Sequence, residues 1–264
     1  MQQNYTPKNK TMSKIVFITG ASSGIGAACA RKFAEGGYTL LLNARSVDKL
    51  QALKTELETT YGTDILLLPF DVRDRKAAAE AITTLPAQYQ AIDILVNNAG
   101  LALGMDKEYE GTEENYDTMI DTNITALLMI TRMVVPGMIA RGKGHIINIG
   151  SVAGDAAYPG GSVYCATKAA VKVLSDGLRM DLVDTPLRVT NVKPGLVETN
   201  FSVTRFGGDK ERADNVYKDI KPLTGDDIAD VVYYAASAPA HVQIAEVLVL
   251  ATHQASGSLV YRKG

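Results

Sequence analysis

Apolar residues along this chain fall into short unbroken runs separated by longer stretches of mixed polarity. The runs are Lys14–Thr19, Tyr38–Asn43, Asp64–Pro69, Ile92–Val96, Gly144–Ile149, Leu187–Val192 and Glu246–Leu250. Unbroken apolarity over so few residues predicts strands buried on both faces. Between them, Ile25–Glu35, Val47–Thr60, Asp74–Leu85, Ser162–Val183 and Asp226–Ser237 read as helices. Leu50, Leu53 and Leu57 show the helical spacing, and Gly36-Gly37 stops the first helix. A long helix is expected from Glu113 to Thr125 or beyond, continuing through Leu127–Arg141. Asp226 and Asp227 open the last helix, where carboxylates suit the positive end of its dipole.

Strands that alternate with helices predict one parallel sheet with helices on both faces. The fold class is therefore α/β, a single-domain Rossmann-like, doubly wound sheet. Residues 1–12 read as a flexible extension and 13–264 as the catalytic domain. Phe201–Lys221 is charged, breaks the rhythm, and reads as an irregular insertion that closes over substrate.

Composition narrows the function. A net charge of -2 over 264 residues favours neither nucleic acid nor an anionic membrane surface. With 46% hydrophobic and 21% charged residues, such a chain buries a large core unaided. No apolar run approaches the roughly 20 residues of a membrane span. Cys29 and Cys165 lie far apart and read as reduced thiols in a cytoplasmic protein. His145, His241 and His253 are scattered, so no metal site is expected.

The first strand runs into Thr19-Gly20-Ala21-Ser22-Ser23-Gly24-Ile25-Gly26. Glycines let the backbone turn close to a pyrophosphate, and free N–H groups at the following helix start bind its charge. The second strand ends in Asn43-Ala44-Arg45-Ser46, without the carboxylate that holds the ribose hydroxyls of NAD. Arg45 and Ser46 can instead take a 2′-phosphate, which points to NADP(H); a solvated loop arginine is the competing reading. Asp71-Val72 ends the third strand, where Asp71 can accept from the adenine amino group, and Asn97-Asn98-Ala99-Gly100 ends the fourth. All lie at the carboxyl edge, where open parallel sheets bind ligands.

Tyr164 and Lys168 share a helix face at i and i+4. An ammonium beside a phenol favours the phenolate, and moving a tyrosine from about 10 to neutrality takes about 4 kcal/mol. Alone, such a pair is commonly an exposed helical pair. Ser151 follows the fifth strand at the same edge, where its hydroxyl can hold a substrate oxygen beside Tyr164.

Thr19-to-Gly26, Asn97-to-Gly100, Asn123, Ser151, Tyr164, Lys168 and Pro194-Gly195 together resemble the short-chain dehydrogenase/reductases, over nearly the whole chain from Ser13. The resemblance implies a catalytic tetrad: Tyr164 as acid/base, Lys168 tuning it and binding the nicotinamide ribose, Ser151 positioning substrate, and Asn123 holding a water. It also implies that Asn98, Ala99, Gly100, Pro194, Gly195, Val197 and Thr199 line the cofactor, and that the protein is a homotetramer.

Asn98–Gly104, Tyr158–Tyr164, Glu198–Phe206, Pro239–Val242 and Leu259–Arg262 more narrowly resemble the NADP-dependent 3-hydroxy acid dehydrogenases, the serine and L-allo-threonine group. Members of that group often carry a second basic residue after the position of Arg45, where this chain has Ser46, and Asn where it has Ser162. A 3-hydroxy acid needs a cation for its carboxylate, and Arg205 in the lid is the candidate, set against a solvated or interface arginine. The competing functions are a carbonyl or 3-oxoacyl reductase of another substrate class and a non-catalytic NADP(H)-sensing protein.

Overall fold

In the computed structural model, which describes residues 13–263, the apolar runs become strands. They are β1 Ile15–Ile18, β2 Thr39–Asn43, β3 Ile65–Leu68, β4 Ile92–Asn97, β5 His145–Ile149, β6 Arg188–Pro194 and β7 Glu246–Val249. The expected extension, 1–12, lies outside the described residues. All neighbours pair in parallel, in the order β3-β2-β1-β4-β5-β6-β7. The chain works outward from β1 to β3, then returns to β4 and works outward on the other side. A crevice opens beyond the strand ends where the direction reverses, between β1 and β4.

Helices α1 Gly24–Glu35, α2 Val47–Tyr61 and α9 Gly225–Ser237 cover one face. Helices α3 Arg75–Thr83, α4 Glu113–Ile120, α5 Ala126–Arg141 and α6 Ser162–Asp181 follow in the same alternation. Successive strand residues point to opposite faces, so β1 feeds two cores. Val16 and Ile18 pack with Phe33, Leu50 and Ile228. Ile15 and Phe17 pack with Ile130, Val134 and Met138 of α5. Both faces of the central strands are thus dry, which is why those strands read as unbroken apolar runs.

Two expectations need correction. The segment Glu113–Arg141 is one continuous helix of 29 residues, long and apolar enough by length and composition to cross a membrane. Polar residues of α4 keep it from forming one unbroken apolar run, and Ile130, Val134, Val135 and Met138 of α5 pack into the core against the sheet. Between α4 and α5, Asp121–Thr125 forms a π turn, a local widening that is frequent at functional sites. Second, Phe201–Lys221 is not irregular: it contains α7 Phe201–Arg205 and α8 Lys210–Asn215. Asp209 caps α8 by accepting from the Arg212 N–H at 3.0 Å. Elements this short hold too few residues to show an apolar stripe.

Candidate active site

A cleft of about 850 Å³ runs along the carboxyl edge of the sheet. At its centre the β1–α1 turn places Gly20 and Gly24 at φ of 66° and 53°, where a side chain is strained. A Cβ on Gly20 would also come within 2.9 Å of the Ala99 Cα. Asn98 Nδ2 donates to the Thr19 and Gly20 carbonyls at 2.9 and 3.1 Å, and Thr19 Oγ1 accepts from the Asn98 and Ala99 N–H groups. The ends of β1 and β4 are thereby stapled together. Helix α1 has no side-chain cap and no acidic residue in its first turn, so its N-terminal N–H groups remain available to an anion.

Gly20, Ser22, Ser23, Gly24, Ile25, Arg45, Ser46, Asp71, Val72, Asn98, Ala99, Gly100, Pro194, Gly195, Val197 and Thr199 all line this cleft. Gly26 does not. A Cβ there would meet the Gly20 carbonyl at 2.3 Å, so its bareness lets α1 pack under the turn. These groups fit a dinucleotide: a bare, amide-lined turn for the pyrophosphate, and at the end of β2 a cation with no carboxylate. The expected adenine acceptor, Asp71, has its carboxylate occupied by Arg73, whose Nη2 lies 2.7 Å from Oδ2. Arg73 and Lys49 also line the cleft; the sequence reading passed over both, because their position depends on how the starts of α3 and α2 fold back beside the strand ends.

At the other end, Ser151 leaves β5 in extended geometry and Tyr164 and Lys168 sit one turn apart on α6. All three line the cleft and are buried. Lys168 Nζ donates to the Ile149 carbonyl at 2.8 Å and has no carboxylate partner among the described residues. Burial alone pushes it down to about 8. Burial also pushes the Tyr164 phenol well above its ordinary value, with Ser151 and Arg205 pulling it part of the way back. The expected lowering of Tyr164 is thus absent in the protein alone, because loss of solvent outweighs the pull of Ser151 and Arg205.

Asn123 lies in the π turn and does not line the cleft. Its Nδ2 donates to the Leu101 carbonyl at 2.8 Å and to Thr167 Oγ1 at 2.9 Å, and its Oδ1 accepts from the Leu101 N–H. Both amide hydrogens are occupied, so the side chain ties the loop after β4 to α6.

Arg205, at the end of α7, is paired with Gly104. Its carbonyl accepts from the Gly104 N–H at 2.9 Å, and its Nε donates to the Gly104 carbonyl at 3.3 Å. The guanidinium carbon lies 5.4 Å from the ring centres of both Tyr158 and Tyr164. Among the described residues it has no carboxylate partner. Phe201 lies 5.6 Å from the Tyr164 ring and completes an aromatic wall with Tyr158. Both aromatics fall in stretches that carry the narrower resemblance, but the sequence gives neither a role, since a wall residue carries no spacing of its own. His145 is buried beside Thr190 at 2.7 Å, and burial holds its imidazole down to about 3.

A family model described as short chain dehydrogenase matches residues 14–209. The chain belongs to the short-chain dehydrogenase family. This short-chain dehydrogenase is 45% identical over 251 residues to a Schizosaccharomyces pombe protein named NADP-dependent 3-hydroxy acid dehydrogenase, covering 95% of this chain and 97% of that one. It is 44% identical over 245 residues to sulfoacetaldehyde reductase 2 of Chromohalobacter salexigens, covering 92% and 96%. Among solved structures, the closed form of a serine dehydrogenase complexed with NADP+ matches at a TM-score of 0.88 and 44% identity, covering 95% of this chain and all of that one.

Proposed function

We propose that this short-chain dehydrogenase transfers a hydride between NADP(H) and a small 3-hydroxy acid of the serine, allo-threonine or 3-hydroxypropionate type. The observation that carries the reading is Arg205: a guanidinium without a carboxylate partner, held against the ring of the tyrosine beside Ser151. A short acid that bridges the two offers its carboxylate to Arg205 and its hydroxyl oxygen to Tyr164 and Ser151. The similarity to the 3-hydroxy acid and serine dehydrogenases supports this choice.

Bound NADP(H) supplies the hydride acceptor or donor. The chain's residues handle position and protons. Ser151 and Tyr164 hold the reacting oxygen. In reduction the buried phenol gives its proton to that oxygen; in oxidation the same group takes it. Lys168, charged below about pH 8, favours the phenolate. Asn123 fixes the loop that carries Gly100 and Leu101 along the cleft. Tyr158 and Phe201 exclude water. The protein acts as a homotetramer in the cytoplasm, a reading supported by the exposed Ile120, Leu128 and Ile139 on α4–α5, by Val173 and Met180 on α6, and by its two free buried cysteines.

Arg205→Met tests the substrate assignment. Loss of a charge-assisted pair raises KM for a 3-hydroxy acid by roughly 30- to 100-fold, and KM for a neutral alcohol of equal length by less than about threefold. Steady-state kinetics on both substrates decide it, and equal changes remove Arg205 from the substrate site. A 2-carbon sulfonate aldehyde in the same panel measures how far Arg205 accepts a sulfonate in place of a carboxylate.

A further inference from the structure

Asp71 lies between two guanidiniums at the adenosine end of the cleft. Arg73 Nη2 donates to Asp71 Oδ2 at 2.7 Å, its Nε reaches Oδ1 and Oδ2 at 3.1 and 3.2 Å, and its main-chain N–H reaches Oδ1 at 2.9 Å. Arg45 Nη1 stands 3.9 Å from Oδ2, with its side chain 67% exposed. Both oxygens of Asp71 are therefore hydrogen-bonded from the Arg73 side, and Arg45 keeps only a long contact with Oδ2 while most of its side chain faces solvent at the end of β2.

A free carboxylate in this position opposes a phosphorylated ribose in two ways. It draws Arg45 to itself, and it repels a phosphate that carries about −1.5 to −2 charges at pH 7. A forked arginine removes both effects, because a bidentate pair fixes the carboxylate and cancels its charge locally. We infer that Arg73 is a specificity-determining residue: by gripping Asp71 it silences that carboxylate and keeps Arg45 free for the 2′-phosphate of the cofactor. The inference rests on the NADP(H) reading above. The Arg73 guanidinium also holds the Asp71 carboxyl below the usual carboxylate range, as a dedicated pair should.

The test is equilibrium binding of NADPH and NADH to the full chain, followed by nicotinamide fluorescence without substrate. Arg73→Met weakens NADPH by roughly tenfold and NADH by less than about twofold. Asp71→Asn added to Arg73→Met removes the unsilenced charge while keeping an acceptor oxygen, and it returns NADPH affinity to within about threefold of wild type. A double variant as weak as Arg73→Met overturns the inference, since Arg73 then touches the phosphate itself. Equal weakening of NADH and NADPH in Arg73→Met overturns it too, by making the role purely structural. Equal wild-type affinity for the two cofactors fails at the earlier step, overturning the NADP(H) reading and the inference with it.

Discussion

Tyr164→Phe lowers kcat by roughly a thousandfold or more while NADPH affinity stays within about threefold of wild type. The substitution removes one oxygen and keeps the ring, so the packing against Phe201 at 5.6 Å and the contact with Arg205 at 5.4 Å persist. What disappears is the proton that reduction must deliver to the substrate oxygen and that oxidation must accept. Ser151 cannot replace it: its hydroxyl accepts from the Ala153 N–H, and a serine hydroxyl is a far weaker acid than a phenol. Steady-state turnover beside fluorescence-detected NADPH binding separates the two quantities. A fall of less than about tenfold would assign the proton to another group.

Lys168→Met has two effects of opposite sign. Activity falls by roughly 100- to 1000-fold, because the ammonium 6.0 Å from the phenol ring centre is lost and Arg205, the other cation near that ring, is the anchor for the substrate carboxylate. Stability at pH 7 rises. The buried ammonium rests on a single carbonyl, that of Ile149 at 2.8 Å, and its pKa is pushed down to about 8. In the unfolded chain a lysine titrates near 10.4. Below about pH 8 the folded protein therefore carries the whole penalty of a buried charge, on the order of 3 kcal/mol. Between about 8 and 10.4 the unfolded chain holds more protons, so wild-type stability climbs with pH across that window. Methionine removes the penalty but orphans the Ile149 carbonyl, which costs about 2 kcal/mol. The balance is a variant about 1 kcal/mol more stable at pH 7, or about 2 °C in Tm, and an advantage that shrinks by pH 9.5. Urea unfolding of both proteins at the two pH values checks this; a variant less stable at pH 7 would mean that Lys168 is a structural residue.

The strands and the cofactor turn were legible because their signals are local. A run such as Ile15–Ile18 needs no partner to be recognised, and Gly20, Gly24 and Gly26 follow directly in the chain. The pairing of Tyr164 with Lys168 was legible from helical spacing alone. The direction of the phenol's shift was not, because it depends on burial by Phe201 and Tyr158, which arrive from distant segments. Arg205 could be singled out as a cation in the right segment, whereas its anchorage to Gly104, 101 residues away, belongs to the tertiary fold. The same holds for the Arg73 grip on Asp71: two residues apart in sequence, they gain meaning only where Arg45 swings in from β2. Helices α7 and α8 escaped because one or two turns carry no periodicity.

Carboxylate-selective hydride transfer is read from kcat/KM of the purified wild-type protein with NADP+ for serine, allo-threonine and 3-hydroxypropionate, each beside the matching alcohol without the carboxylate. With Arg205 as the anchor, at least one acid exceeds its neutral counterpart by roughly a hundredfold. Parity between acids and alcohols, or cofactor binding with no turnover of any of them, would contradict the account.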